Sequence, residues 1–179
     1  TAPIPHPKFP SSLLGAYKTV AEALLEGLKG IGVRDAILAS GRKTDMGRNP
    51  FHSPSCVSSV NHFEIEVQGA KLVGSAQRRT KRAFLQHGSI ILDLDRNLLN
   101  SLFKYASDDS RIRSMDILNN KVITLHECLG KDVTRKELFK ALKNGFSRVM
   151  KRSWNPENIN SFESVRRKPN PYSIGDVVT

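Results

Sequence analysis

The amino-acid sequence predicts one α+β domain, in which a small, mostly antiparallel sheet is packed with helices on one side. Alternating apolar and polar residues at 63–68, followed by two more strand-like segments, predict a three-stranded meander over 59–93. Apolar residues at helical spacing lie on both sides of the meander, over 13–31 and 138–150. Helices flanking a run of hairpin-connected strands are typical of the α+β class.

Length and composition are those of a globular domain. The chain has 179 residues, 39% of them hydrophobic and 25% charged, which is enough to bury a core. No apolar run approaches the roughly 20 residues that span a bilayer. The proline-rich N-terminus lacks the apolar core of a signal peptide. We therefore expect a cytoplasmic protein or a trimmed fragment, with no membrane partner.

The net charge of +11 predicts an acidic partner, whether nucleic acid, an anionic surface or an acidic protein. Basic residues cluster at 78–82 and 166–168, where a solvated basic face is the simplest interpretation. A nucleic-acid-binding module is the remotest alternative. Such modules interleave aromatic with basic side chains, and the stretch 71–95 offers only Phe84.

In the first part of the chain, prolines predict an extended segment at 1–10. Ser11 or Ser12 is the predicted N-cap of a helix that ends near Gly30. Residues 36–38 are then predicted to form a short buried strand, isolated from the meander.

The meander is preceded by a predicted loop at 39–55, which is long enough to indicate a functional or mobile segment. Its first strand is predicted to expose Glu64 and Glu66 on a wet face. A hairpin turn is predicted at Gly69–Ala70. The next strands are predicted at 71–77 and 84–93, with a basic turn between them. Such a sheet is thin, with an exposed edge, and indicates a domain incomplete on its N-terminal side.

After Asp95 the pattern becomes helical. One short helix is predicted around Leu98, Leu99 and Phe103, and another from Val122 to a stop at Gly130. Thr134 and Glu137 form a capping box ahead of a helix with one apolar stripe. The polar residues 152–179 are predicted to be a flexible tail, outside a domain formed by 1–151.

Lys71 begins a strand directly after a glycine turn. This setting fits either a surface lysine or a charge aimed into a cleft to hold a carbonyl or phosphate oxygen. The small residues 74–76 indicate close approach by a ligand or tight packing against a helix. The small residues 87–89 repeat the pattern on the neighbouring strand. Together they predict a slot suited to a narrow apolar chain.

Of the two cysteines, Cys56 precedes the meander and Cys128 lies on the apolar side of a predicted helix. They are too few for a disulfide scaffold and belong to no CxxC pair, so the sequence suggests no metal site. Cys128 is predicted to be a core residue. A cysteine beside a cation gains thiolate character. Cys56 is therefore a candidate nucleophile if Lys71 lies close, and an inert thiol otherwise.

Two quoted segments carry a resemblance to a known family. Gly69-Ala-Lys71-Leu-Val-Gly74-Ser75-Ala76-Gln77-Arg78-Arg79, followed by Leu85-Gln86-His87-Gly88-Ser89-Ile90 and Asp93, resembles the core motif of the biotin/lipoate protein ligase superfamily. Within it, the match is to lipoate–protein ligase A-like proteins and cysteine-dependent octanoyltransferases. The helix over 12–31 and the stretch 125–146 also resemble this family. The resemblance implies that residues 1–151 form the C-terminal part of its catalytic domain.

The resemblance also implies roles for individual residues. Lys71 would contact the acyl carbonyl and phosphate region of a bound acyl group or acyl-adenylate. Cys56 matches the loop cysteine that carries an octanoyl thioester. The implied residues of the acyl- or nucleotide-binding pocket are Gly74, Ser75, Ala76, Gln77, His87, Gly88 and Ser89.

The implied activity is octanoyl transfer from acyl carrier protein to a lipoyl-domain lysine, without a required cofactor. The alternative is a lipoate–protein ligase that needs ATP and magnesium and acts through lipoyl-AMP. The implied acceptor is an acidic lipoyl domain or a glycine-cleavage H-type protein, toward which the positive charge would steer the enzyme. The family's Arg-Arg-x-x-Gly-Gly segment is missing here, so a separate N-terminal chain or fragment is a further expected partner. The absence of the ligases' accessory domain favours the transferase.

Overall fold

The computed structural model of the chain describes residues 1–39 and 64–151. Mixed helices and antiparallel strands confirm the predicted α+β class. In chain order the described elements are β1 (Ala2–Pro3), α1 (Leu13–Gly30), β2 (Ala36–Leu38), β3 (Ile65–Val67), β4 (Ala70–Arg79), β5 (Ala83–Ile90), α2 (Arg96–Ser101), α3 (Asp108–Lys121), α4 (Leu125–Leu129) and α5 (Arg135–Met150).

Within the described residues, one antiparallel sheet has the strand order β1-β5-β4-β3-β2. The predicted meander is its centre. The prediction that 36–38 stand apart was wrong, because β2 pairs with β3, with Ala36 opposite Val67. Ile37 of this edge strand is 57% exposed, so the strand is not fully buried. The predicted bare edge is also partly covered, since Ala2 of β1 pairs with Phe84 of β5.

The turns and strand ends lie near the predicted positions. The first hairpin turns at Gln68 and Gly69, one residue earlier than predicted, and both residues have positive φ (53° and 79°), as in a type I′ turn. β4 extends to Arg79, so the basic turn contains fewer residues than predicted. β5 ends at Ile90 rather than Asp93. Beyond it, the carbonyls of residues 91 and 92 accept hydrogen bonds from the first turn of α4.

A β-bulge interrupts the pairing of β3 with β4. Ile65 lies opposite Val73 while Glu66 lies opposite Lys71, so Leu72 is the extra residue. A bulge breaks the alternation of faces, and residues 71–73 are all buried. The prediction that Glu64, the residue before β3, faces water was wrong. Glu64 is 1% exposed.

The helices α1 and α5 pack on each other and on one side of the sheet. Ser12 caps α1 by accepting a hydrogen bond from Gly15. The predicted capping box of Thr134 and Glu137 begins α5. The main core lies between these helices and the sheet. Its buried members are Leu28, Val33, Ala36, Ile65, Val67, Leu72, Val73, Leu125 and Leu138.

The shorter helices differ from the predictions in their ends. α2 stops before Phe103, and α4 ends at the predicted Gly130, in a left-handed conformation. Val122 lies outside α4 and instead bridges to Lys71 in parallel. The helix α3 was not predicted, because its side chains are mostly polar. None of the helices in the described ranges is long and apolar enough to cross a membrane. The predictions for 40–55 and 152–179 lie outside those ranges.

Candidate functional site

Lys71 is the buried cation of the predicted site. Its Nζ lies 2.6 Å from Oε1 of Glu64, and the two side chains are 6% and 2% exposed. The backbone carbonyl of Lys71 also accepts a hydrogen bond of 3.0 Å from the amide of Ile123. Lys71 is thus held by the carboxylate of Glu64 through its side chain and by the amide of Ile123 through its backbone.

Gly74 leaves room for the Lys71 side chain to cross β4. A Cβ atom at Gly74 would lie 2.9 Å from Cε of Lys71 and 3.2 Å from its Nζ. The same point is 3.9 Å from Oγ of Ser89, which is the cross-strand partner of Gly74. The ammonium therefore lies on the face of the sheet shared by Gly74 and Ser89.

The predicted pocket residues are divided between the two faces of the sheet. Side chains alternate along a strand, and cross-strand partners share a face. Ala76 and His87 are partners, and both are exposed. They lie two positions from Gly74 and Ser89, on the same face. We call this the open face, defined by Gly74, Ala76, His87 and Ser89.

The other face looks toward α1 and α5. The pairs Ser75–Gly88 and Gln77–Gln86 alternate with those of the open face. On the helix side lies a cavity of about 230 Å³, lined among others by Ser75, Gly88, Val20 and Phe146. A Cβ at Gly88 would overlap the carbonyl oxygen of Gly74 and lie 3.1 Å from Oγ of Ser75. Glycine is thus required where the strands approach.

Gln77 and Arg79 hold the sheet to the start of α1. Arg79 donates to the carbonyl oxygen of Ser11 at 2.7 Å and to Oε1 of Gln77 at 3.0 Å. Gln77 in turn donates to Oε1 of Gln86 at 2.8 Å. The guanidinium of Arg79 also lies 5.4 Å from the ring centre of Phe84. Part of the predicted basic cluster is therefore engaged in the fold.

The two cysteines differ in whether the structure describes them. Partial burial raises the pKa of the Cys128 thiol, and the neighbouring Glu127 carboxylate raises it further. Cys128 packs against the core, as predicted, and its thiol is poorly suited to act as a nucleophile. Cys56 lies outside the described residues, so its expected closeness to Lys71 stays a prediction.

Two residues of this region were missed by the sequence analysis. Glu64 was assigned to the wet face, although an acid and a lysine across one hairpin are a usable signal. Arg96 was not considered. It donates to the carbonyl of Val122 at 3.0 Å and to Glu127 at 2.9 Å, and so fixes the segment that pairs with Lys71. No pattern in the sequence links Arg96 to residues so far along the chain.

Comparison with known sequences finds a family model and relatives that agree with one another. The family described as the lipoyl protein ligase A/B catalytic domain matches residues 2–147. Octanoyltransferase LipM of Bacillus subtilis (strain 168) is 39% identical over 144 residues, which are 79% of this chain and 51% of the relative. Octanoyltransferase LipM of Brevibacillus brevis is 34% identical over 160 residues, or 88% of this chain and 58% of the relative. The chain thus spans between half and three fifths of the length of these relatives.

Solved structures show the same fold. A bi-partite lipoate protein ligase from Thermoplasma acidophilum superposes with a TM-score of 0.59 at 17% identity, covering 85% of this chain and 53% of the other. A lipoate-protein ligase A bound with ATP gives 0.56 at 23% identity, covering 80% of this chain and 49% of the other. Sequence and fold agree: the chain belongs to the lipoyl protein ligase A/B catalytic-domain family.

Proposed function

We propose that the protein transfers an octanoyl group from acyl carrier protein to a lysine of a lipoyl domain or H-type protein. The observation that carries this proposal is the similarity to curated octanoyltransferases, 34% to 39% identical over most of this chain. The buried Lys71 at the open face supports it, because a preorganised hydrogen-bond donor or cation stabilises the oxyanion that develops during acyl transfer. The aligned residues make up 51% of one relative and 58% of the other. The activity of the whole protein is therefore put forward as a proposal.

In the proposed reaction, the thiolate of Cys56 attacks the carbonyl carbon of the octanoyl thioester on the carrier protein. The new bond joins Sγ to that carbon, and the carrier's thiol leaves as a thiolate. The neutral amine of the acceptor lysine then attacks the Cys56 thioester. An amide forms, the amine releases a proton to solvent, from which the carrier's thiolate takes one up, and the Cys56 thiolate is regenerated.

Lys71 stabilises the oxyanion of both tetrahedral intermediates in this proposal. The acyl chain would lie along the open face, where Gly74 and Ala76 leave space and His87 and Ser89 stand beside it. Ser75, Gln77 and Gly88 point toward the helices, so they would shape the strands rather than touch the acyl group. This divides the implied pocket into contacting and supporting residues.

Because the reaction exchanges one thioester for another and then for an amide, it consumes no ATP and requires no metal. The proposed donor and acceptor are acidic proteins, which fits the net charge of +11. An ATP-dependent ligase remains the competing outcome of the test below.

The test is the intact mass of the protein after incubation with octanoyl-acyl carrier protein, with and without hydroxylamine. We expect one added octanoyl group that hydroxylamine removes, because hydroxylamine cleaves thioesters. Cys56→Ser should abolish the adduct and the transfer to a lipoyl domain. Lys71→Ala should lower the transfer rate by at least about 100-fold, as loss of an oxyanion donor does.

Cys128→Ser is the matched control and should keep both the adduct and the activity. An adduct that survives in Cys56→Ser contradicts the thioester route. Transfer of lipoate that appears only with ATP and magnesium would identify a ligase instead. Absence of both reactions would overturn the proposed activity for this chain.

A further inference from the structure

Glu64 is a charged group that meets Lys71 in the interior of the described part of the chain. The Nζ–Oε1 distance of 2.6 Å is that of a short, charge-assisted hydrogen bond. Both side chains are almost fully removed from solvent. An ammonium buried without a counter-charge is strongly disfavoured. Glu64 therefore allows Lys71 to remain a cation inside the protein.

Two glutamates lie near Lys71, and within the described residues only one of them forms an ion pair with it. The cross-strand partner of Lys71 is Glu66, yet the ion pair joins Lys71 to Glu64. Glu64 lies two positions from Glu66, which makes it a diagonal cross-strand neighbour of Lys71, and its side chain is buried. Glu66 is only partly buried. Of these two nearby carboxylates, the buried one forms the ion pair.

The carboxylate also determines where the ammonium lies. The side chain of Lys71 crosses Gly74, within 2.9 Å of the point where a Cβ would sit. An ammonium has three N–H donors on one nitrogen, and Glu64 takes one of them. With one donor bonded to Glu64, the nitrogen lies next to Gly74 on the open face.

We propose that Glu64 is a positioning residue for acyl transfer, which keeps Lys71 charged and directs its ammonium toward the acyl carbonyl on the open face. This rests on the proposed function of the same site. A shift of about 1 Å in a catalytic group lowers rates by about 100-fold. Glu64 thus acts on the rate through Lys71 and does not itself touch the acyl group.

The test compares Glu64→Gln, Glu64→Asp and the matched control Glu66→Gln. Each variant is first checked for folding by circular dichroism and for its fraction of active molecules, from the amount of acyl adduct formed. We expect Glu64→Gln to lower kcat by about 10- to 100-fold with KM within about twofold. Glu64→Asp keeps the charge on a shorter side chain and should fall in between, while Glu66→Gln should match the unsubstituted protein.

A purely structural role for Glu64 gives a different result. It would reduce the fraction of active molecules while leaving the rate per active molecule unchanged. That outcome, in Glu64→Gln or in Glu64→Asp if Glu64→Gln does not fold, overturns the proposal.

A second readout does not depend on the activity. Acetic anhydride modifies neutral amines, and mass spectrometry gives the rate at Lys71. Loss of the Glu64 carboxylate removes the ion pair that holds the Lys71 amine, so labelling of Lys71 should be several-fold faster in Glu64→Gln than in Glu66→Gln. Equal labelling would overturn the pairing role. An unsubstituted protein without any acyl transfer would instead contradict the proposed function, whatever the labelling shows.

Discussion

At the scale of single residues, the described site depends on how one lysine is buried. Lys71 is only 6% exposed, although lysine is almost never buried without a partner. Glu64 supplies the charge, Gly74 supplies the space and Ile123 supplies the backbone contact. Together they place a cation beside the open face.

A second ion pair links Arg96 and Glu127, and its effect on stability depends on pH. The hydrogen bond from Arg96 is the main cause that lowers the pKa of Glu127 below its usual value of 4.5. A carboxylate with a lowered pKa stabilises the fold above its unfolded value, and that stabilisation is lost as the pH falls. Because Glu127 is partly exposed, the effect is screened.

We therefore expect Glu127→Gln to have a lower melting temperature than the unsubstituted protein near pH 7. The difference should shrink as the pH falls below 4.5. Thermal unfolding followed from about pH 3 to about pH 7 measures it. Glu22→Gln is the control, since Glu22 is exposed and 4.0 Å from Lys18. A difference independent of pH would show that the Glu127 charge is not responsible.

At the scale of elements, a pair of glycines lets α1 and α5 approach closely. A Cβ at Gly145 would overlap the carbonyl oxygen of Ala23 and the backbone nitrogen of Gly27, and lie 2.8 Å from Cα of Gly27. A Cβ at Gly27 would lie 2.9 Å from Cα of Leu142. These contacts are with backbone atoms, which cannot move aside as a flexible side chain does.

Gly145→Ala should therefore lower the free energy of unfolding by about 1–2 kcal/mol. Overpacking in a tight interface costs about 1–3 kcal/mol, and alanine returns up to about 1 kcal/mol through helix propensity. Gly30→Ala, also in a helix but with nothing within 4 Å of its Cβ position, should be neutral or slightly stabilising. Urea unfolding of both variants gives the comparison. Equal stability of the two would contradict the close packing of α1 and α5.

At the scale of the whole molecule, the excess of positive charge is the dominant property. With 28 basic and 17 acidic residues, the chain carries +11. Basic side chains are found on the hairpin between β4 and β5 and along α5. A charge of this size raises the rate of encounter with acidic partners and falls in effect with salt.

We expect kcat/KM for an acidic acyl carrier protein donor to fall by about tenfold between about 20 mM and about 300 mM salt. With octanoyl-pantetheine, which has no charged protein surface, kcat/KM should stay nearly constant. Steady-state kinetics with both donors measure the difference. An equal fall in kcat/KM with octanoyl-pantetheine would show that salt acts on the enzyme itself rather than on electrostatic attraction between the two proteins.

Prediction from the sequence succeeded where the signal was local. The capping box of α5, the N-cap of α1, the meander and the stop at Gly130 each depend on residues a few positions apart. The helix α3 was missed because its stability comes from Ser107 at its N-cap and from contacts with α2 rather than from an apolar stripe.

The sequence by itself determined the fold class, the motif around Lys71 and the charge of the molecule, because these follow from neighbouring residues and composition. Only the tertiary structure decided that Glu64 is buried against Lys71 and which of the small residues face the helices. A bulge of one residue reverses faces along a strand, and nothing about Leu72 announces it. Contacts between distant segments, such as Ala2 with Phe84, are likewise determined by packing of the whole chain.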